Sequence, residues 1–513
     1  MGKKILLISP PRTGTWNSAI FSACEPLGLA YLAAVLEKNN FEVEILDCFI
    51  LGQKNKVPRG NFIRMGLNDE DIKRYIKKAQ ADIVGITNMF TSLSPDSLEV
   101  ARLAKDVNPE CLVVMGGAHA TVEYESILRN KNVDVVVLGE GEETFLEVVQ
   151  KFANKQSISE VKGIVLKHRG TVKCNPPREP VTNLDELPFP ARHSLPMDLY
   201  FKDQLKTTFG LAMRFPVAIM ITSRGCPYNC IFCSTSKVWK KWRPRGVKSI
   251  VDEIELLINE YGVKEVAFED DNFIVDRKRV VAICDEILKR RLSIKWTVPA
   301  GISTWIIDKE TLAKMKKAGF YRACFPVESG SKETLKFIRK PVNLEKVKEI
   351  IDFANRIGLW TAGNFIFGFP DEKPESVNKT LEFAQKSNLD VTIFYVAQPY
   401  AGSDLYSIYE KRGLLKSNSE GGSSVVDTIY DTMYYSSSEL SDLRSRASQE
   451  YLRKRALFYL TPKGFLLNLL PKINSYEKFC YFLKIIKIAI PNLHFSLRFL
   501  KRKQSKESGK IKT

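Results

Sequence analysis

The stretch Ser223-Arg-Gly-Cys-Pro-Tyr-Asn-Cys-Ile-Phe-Cys-Ser decides the reading of this 513-residue chain, because Cys226, Cys230 and Cys233, spaced C-x3-C-x2-C, gather three thiolates on one short loop. Four-iron clusters are usually held by four cysteine thiolates, so three leave one iron open to a chelating substrate. Zinc is the competing reading, but structural zinc takes four ligands and none of the other seven cysteines forms a second C-x2-C pair. A disulfide framework fits less well. The chain opens Met1-Gly-Lys-Lys and runs into strand-like Ile5-Leu-Leu-Ile-Ser without a secretory h-region, which points to a reducing, cytoplasmic compartment. Cys24, Cys48, Cys111, Cys174, Cys284, Cys324 and Cys480 stand singly and are expected to be buried, inert thiols.

Working outward from the loop, a β-rich run at 217–222 leads into it, and further runs follow at 265–269, 295–299, 321–327, 361–367 and 391–396. Between them the apolar residues repeat with helical period at 247–260, 276–289, 309–317, 344–356 and 375–386. Six strands with helical crossovers imply a parallel sheet. Polar residues collect where these strands end, in Phe268-Glu-Asp-Asp-Asn-Phe, Pro326-Val-Glu-Ser-Gly-Ser and Asn364-Phe-Ile-Phe-Gly-Phe-Pro. In α/β barrels that is where chemistry is placed. Asp270 and Asp271 have a plainer reading as caps of the next helix.

The cysteine loop resembles the signature loop of the radical S-adenosylmethionine enzymes, and the three strand-end motifs are similar to that family's F-x-D-D-x-F, E-S-G and G-x-I-x-G-x-P segments. The resemblance implies a partial (β/α)6 barrel over 206–405 and a 4Fe-4S cluster on Cys226, Cys230 and Cys233. Its open iron binds the amino and carboxylate groups of S-adenosylmethionine, and an electron from the cluster cleaves that molecule to a 5'-deoxyadenosyl radical. The same resemblance puts Phe232, Asp270 and Asp271 near the methionine moiety, Glu328 and Ser329 at the ribose, and Asn364, Gly368 and Pro370 under the adenine. Asn364 stands where the family has a glycine. An electron donor such as flavodoxin or ferredoxin is implied as a partner.

Residues 1–160 show a second alternation, with strand-like runs at 4–9, 43–47, 83–87, 112–115 and 133–138. Such units read as a Rossmann-like, doubly wound parallel sheet whose ligands sit beyond the carboxyl ends of the strands. The first turn, Ser9-Pro-Pro-Arg-Thr-Gly-Thr, lacks the G-x-G-x-x-G that cradles a dinucleotide. Pro26-Leu-Gly-Leu-Ala-Tyr-Leu-Ala, Gly116-Gly-Ala-His-Ala-Thr and Gly139-Glu-Gly-Glu resemble recurrent motifs of the cobalamin-binding domain that precedes the radical core in one large subfamily. That resemblance nominates Pro10, Pro11, Thr87, Asn88, Gly116, Gly117, His119, Gly139 and Glu140 as corrinoid contacts. The D-x-H-x-x-G motif of other cobalamin proteins is absent, so His119 is expected at the pocket rather than on cobalt. A scaffold without a ligand is the alternative, since a fold alone establishes no function.

Residues 161–205 are proline-rich and read as a stiff interdomain linker. Residues 406–513 read as a helical, basic region: 441–513 hold 17 Lys and Arg against 4 Asp and Glu, or +13 of the formal +18. No nucleic-acid-binding module accompanies this charge. The run 479–491 is too short and too charged to span a bilayer. Its apolar face with Lys484 and Lys487, followed by the basic residues from Arg498 to Lys503, suits peripheral contact with the inner face of an anionic membrane. A helical lid on the barrel is the other reading. Membrane contact implies a small-molecule substrate that is lipid-like.

Two cofactors of this kind imply a methyltransferase acting on an unactivated carbon of a hydrophobic or natural-product substrate: the radical removes hydrogen and methylcobalamin returns a methyl group. The runner-up is a radical oxidative cyclase of a tetrapyrrole-like substrate. From another class, a non-catalytic corrinoid or cluster sensor remains.

Overall fold

In the computed structural model, which describes residues 3–14, 23–60, 62–168, 171–202, 211–239, 241–415 and 428–487, strand Lys4–Ser9 shows how the first sheet is built. Its alternate side chains enter different cores: Leu6 and Ile8 join Val84, Ile86, Val113 and Met115 on one face, while Ile5 and Leu7 join Ile83, Val114, Val135 and Val137 on the other. A strand buried on both faces reads as a continuous apolar run, which is what KILLIS is. The sheet has seven strands in the order Thr171–Cys174, Ile164–His168, Val135–Val137, Leu112–Gly116, Ile83–Thr87, Lys4–Ser9, Glu42–Asp47.

The five strands from Val135–Val137 to Glu42–Asp47 are parallel, and the last two at the other edge are antiparallel. The sheet thus continues past residue 160 into what reads as linker. Cys174, expected to be buried, is exposed because it ends the edge strand. Arg12–Gly14, Phe62–Met65 and Lys56–Arg59 form a small antiparallel sheet that the sequence does not announce, as its strands are short and partly charged.

The chain divides into two compact units. The first comprises Met1–Phe209, Pro216–Asn272 and Gln398–Ser424; the second comprises Gly210–Phe215, Phe273–Ala397 and Val425–Thr513. Besides the seven-stranded sheet, the first unit holds Val217–Met220 paired in parallel with Glu265–Phe268 across the helix Val247–Tyr261.

In the second unit Arg322–Glu328, Trp360–Phe367 and Val391–Val396 form a parallel sheet, preceded by Lys295–Thr297, whose Trp296 bridges Phe320. The crossover helices begin where a side chain can take up unpaired amides: Asp308 accepts from Thr311 N, and Asn343 from Glu345 N and Lys346 N. Among the described residues the strands form open sheets and no closed barrel.

The long helix Ser437–Tyr459 starts on a capping box made by Ser436 and Glu439. It is tied to the sheet through a buried polar cluster. Asp390 receives Lys472 Nζ at 2.6 Å and Arg455 Nη2 at 3.0 Å, and Asn355 receives the same lysine at 2.5 Å. In the helical stretch 476–487, Tyr481 is buried against Tyr321 and Trp360, Phe482 stacks on Trp360 at 6.1 Å, and Lys484 Nζ lies 4.7 Å from the ring of Phe215. The face expected to meet a membrane here is packed against the protein. Residues 488–513, including Arg498 to Lys503, lie outside the described residues. No described helix is long and apolar enough to cross a membrane.

Candidate active site

The cysteine loop is held from beneath by the strand end beside it. Asp270 is fully buried, and its carboxylate accepts from Thr222 N at 2.6 Å, Thr222 Oγ1 at 2.6 Å and Ser223 Oγ at 2.5 Å. Asp271, on the open side of the same turn, accepts from Gly225 N at 3.1 Å and Thr235 Oγ1 at 3.3 Å. Capping therefore falls to neither of them, and Asp276 caps the next helix instead. Gly225 has φ +83° and a Cβ there would lie 2.6 Å from the Lys241 carbonyl oxygen, so only glycine lets the chain enter the loop.

Cys226, Cys230 and Cys233 are half-buried, as is Phe232, and none of the ten cysteines is in a disulfide. Asn272 Nδ2 donates to Cys226 Sγ at 3.7 Å, while burial pushes that thiol up. This donor set fits a cluster: three thiols on one loop, partly open, with a hydrogen bond aimed at sulfur. Those three cysteines would hold it, and since bound thiols must lose their protons, loading is favoured as pH rises.

Four charged residues around the loop were not legible as a site. Arg224, two residues before Cys226, meets Glu142 at 2.5 Å and Glu140 at 3.5 Å, and Arg243 pairs with the same Glu140. All four are about nine-tenths buried. Glu140 also accepts from Val181 N at 2.8 Å. The Glu140 carboxylate, nominated by its motif as a corrinoid contact, is committed to Arg224, Arg243 and the Val181 amide; it and Glu142 hold the Gly139-Glu-Gly-Glu loop to the strand that leads into the cysteine loop. The motif Gly139-Glu-Gly-Glu singled out the two acids, but nothing in the sequence paired them with Arg224 and Arg243, which flank the cysteine loop with no acidic residue close by.

At the carboxyl ends of the first sheet, Asn88 is fully buried, its Nδ2 donates to Ser94 Oγ at 3.1 Å, and its Oδ1 has no partner. Gly117 has φ +116°, and a Cβ on it would lie 2.7 Å from the Asn88 carbonyl oxygen. Gly139 N donates to Thr121 Oγ1 at 2.9 Å. Half-buried Thr87 and Gly116 lie at the ends of adjoining strands, and Met89 and Phe90 beyond them are exposed. His119 is buried, with Nδ1 3.1 Å from Thr91 Oγ1, and burial lowers it to about 4, so it is neutral at pH 7.

An orphaned buried acceptor, bare glycine backbone and exposed apolar side chains together fit a large amide-bearing macrocycle. Asn88, Gly116, Gly117 and Gly139 would hold it. Pro10 and Pro11 follow the first strand; both are buried, and Pro11 lies under Gly66.

In the second unit Glu328 sits at φ +68° and pairs with Lys340 at 2.8 Å. Ser329 is fully buried, its hydroxyl 2.8 Å from Thr380 Oγ1 and accepting from Ser331 N. Its hydroxyl, nominated for the ribose, is taken up in shaping the turn. Gly368 N donates to Glu372 Oε2 at 2.8 Å, and the Pro370 carbonyl accepts from Met433 N at 3.0 Å. On the strands behind them one face is covered and the other is not: Cys324, Pro326, Asn364, Ile366, Ile393 and Tyr395 alternate with buried Phe325, Phe365 and Phe394. Asn364 Oδ1 is buried without a partner, an acceptor suited to an adenine amino group. Burial pushes the Cys324 thiol and the Tyr395 hydroxyl up to about 12, so both are neutral at pH 7.

Residues 18–149 match the B12 binding domain family and residues 220–384 the radical SAM superfamily. An uncharacterized methyltransferase of Pyrococcus horikoshii is 35% identical over 90% of this chain and 93% of its own length. Cytidylyl-2-hydroxyethylphosphonate methyltransferase of Streptomyces wedmorensis is 34% identical over 79% of this chain and 81% of its own. The fold is shared with TsrM from Kitasatospora setae, a radical S-adenosylmethionine methyltransferase solved with cobalamin and a [4Fe-4S] cluster, at a TM-score of 0.65 and 18% identity over 86% of this chain and 81% of that one. With the cysteine loop and the glycine-lined strand ends in one molecule, the chain belongs to the cobalamin-binding radical S-adenosylmethionine enzymes.

Proposed function

We propose that this enzyme methylates an unactivated carbon of a small hydrophobic substrate. The observation that carries the reading is the buried network of Glu140, Glu142, Arg224 and Arg243, which fastens a strand-end loop of the B12 binding domain to the cysteine loop within one compact unit. When bound, the cluster supplies the electron that cleaves S-adenosylmethionine and the corrinoid supplies the methyl group. Asp270, Asp271 and Gly225 fix the loop that presents the thiolates. Asn364 and Gly368 are the proposed adenosyl contacts, and the face bearing Ile366, Ile393 and Tyr395 suits an apolar substrate. Flavodoxin or ferredoxin is the proposed electron donor, and a peripheral attachment through the basic C-terminal region would bring a lipid-like substrate within reach.

The test is anaerobic turnover with S-adenosylmethionine labelled in its methyl group and candidate lipids. The reading expects 5'-deoxyadenosine and S-adenosylhomocysteine in about equal amounts, because one molecule supplies the radical and another restores the methyl group, and label in the product. Deoxyadenosine without label transfer would favour oxidation or cyclisation. Neither product with both cofactors intact would favour a sensor.

A further inference from the structure

Helix Ser437–Tyr459 runs out at Leu460, turns tightly at Gly464 and continues through Phe465–Leu469 and Leu470–Lys472. Gly464, Asn468 and Leu469 point inward, whereas Leu457, Leu460, Phe465, Leu466, Leu467 and Leu470 are exposed, Leu460 to 82%. Six large apolar side chains in water within so short a corner mark an interaction surface rather than scattered exposure.

Beside this corner lies a cavity of about 420 Å³ lined by Lys386, Lys454, Arg455 and Lys463 with Asn388 and Asn468, and no carboxylate lines it. Lys386 pairs with Glu382 and Lys454 with Glu450. Lys463 has no ion pair among the described residues. Arg455 is 8% exposed, and although Asp390 takes its Nη2, its Nε–H has no acceptor. A cation-lined cavity with a buried, unpartnered donor calls for an anion with several acceptor oxygens. The adjoining leucines call for hydrocarbon. Residues 488–513 carry seven Lys and Arg against one Glu, the same sign as the cavity, so charge does not favour that segment as the occupant.

We infer that the corner 457–470 docks on an anionic phospholipid bilayer, with its leucines among the acyl chains and a lipid phosphate held in the cavity by Lys454, Arg455 and Lys463. This deepens the peripheral-attachment reading and is independent of methyl transfer.

Full-length holoenzyme is to be floated with phosphatidylcholine vesicles and with vesicles enriched in phosphatidylglycerol. Partitioning should be about tenfold tighter onto the anionic vesicles at low salt and should fall as salt rises. Lys454→Glu with Lys463→Glu, and separately Leu460→Asn with Leu466→Asn and Leu467→Asn, should each weaken it about tenfold while S-adenosylmethionine cleavage continues. In the unaltered enzyme, anionic vesicles should slow hydrogen exchange across 454–470. Equal partitioning onto both vesicles overturns the inference, as does attachment lost on neutralising Lys501, Arg502 and Lys503 but kept in both corner variants. Protection of 454–470 by inorganic phosphate alone, or by raising protein concentration without vesicles, would assign the corner to a free anion or to a second copy of the chain and equally overturn it.

Discussion

The two large sheets of this molecule handle their faces differently, and the difference says where each admits a ligand. In the seven-stranded sheet, strands such as Ile83–Thr87 and Val135–Val137 are buried on both faces, so a ligand can approach only at the strand ends. In the second unit, Arg322–Glu328, Trp360–Phe367 and Val391–Val396 alternate between buried and more open residues, which leaves a whole face available. A cofactor bound at strand ends is held by turns and backbone; a substrate along a face is held by side chains. The first sheet should therefore be sensitive to backbone changes and the second to side-chain volume.

The largest effect is expected at the loop. Replacing Cys226, Cys230 and Cys233 by Ala should remove the cluster and bring S-adenosylmethionine cleavage to background, while corrinoid binding at the first sheet's strand ends persists, as measured by iron content, product formation and the corrin absorption spectrum. Cleavage surviving the triple change would refute the assignment of these thiols.

The next is at a strand end. Gly117→Val puts branched carbon where a Cβ alone would be 2.7 Å from the Asn88 carbonyl oxygen, and does so at φ +116°. Corrinoid affinity should fall by about two orders of magnitude, in line with a backbone position that tolerates no side chain. S-adenosylmethionine cleavage should remain. Normal corrinoid binding in this variant would mean that the cradle lies elsewhere.

On the open face, Ile393→Trp fills space without touching a strand end. Substrate methylation should drop about tenfold, through kcat/KM, with abortive cleavage of S-adenosylmethionine within about twofold of the unaltered enzyme. If cleavage falls as far as methylation, the two sheets do not divide the work as their burial patterns indicate.

Much of this was legible locally. Strand Lys4–Ser9 and helix Leu344–Arg356 carry their periods and boundaries in the sequence, and the cysteine spacing located the loop. What was hidden depends on partners far along the chain. Glu140 looks like part of a ligand loop until Arg224 and Arg243 are seen on it, and ion pairs across some 80 to 100 residues leave no local pattern. The surroundings of Ser329 were hidden for the same reason, since Thr380, 51 residues on, takes up its hydroxyl. The strands Ile164–His168 and Thr171–Cys174 were hidden in a proline-rich context, and the burial of Tyr481 and Phe482 could not be told from a membrane-facing stripe because both need only an apolar face.

The smallest effect separates the two units by the sign of their response to acid. Burial lowers His119 to about 4, below the unfolded value of about 6.5. Its contribution is complete above pH ~6.5 and is lost as pH falls toward 4, because the unfolded chain takes up a proton that the native one refuses. Burial raises Glu372, which closes the turn at Gly368, to about 7. There the contribution is complete below pH ~4.5 and is lost as pH rises toward 7, because only the unfolded carboxyl ionises. Each shift corresponds to roughly 3 kcal/mol at full extent. Between about pH 4.5 and 6.5 the two slopes oppose and largely cancel in global unfolding. Hydrogen exchange, corrected for its intrinsic pH dependence, should resolve them: protection across 112–120 should increase with pH while that across 361–369 decreases. His119→Asn should flatten the first trend alone and Glu372→Gln the second. Slopes of the same sign in both segments would show that the burial of one of these groups has been misassigned.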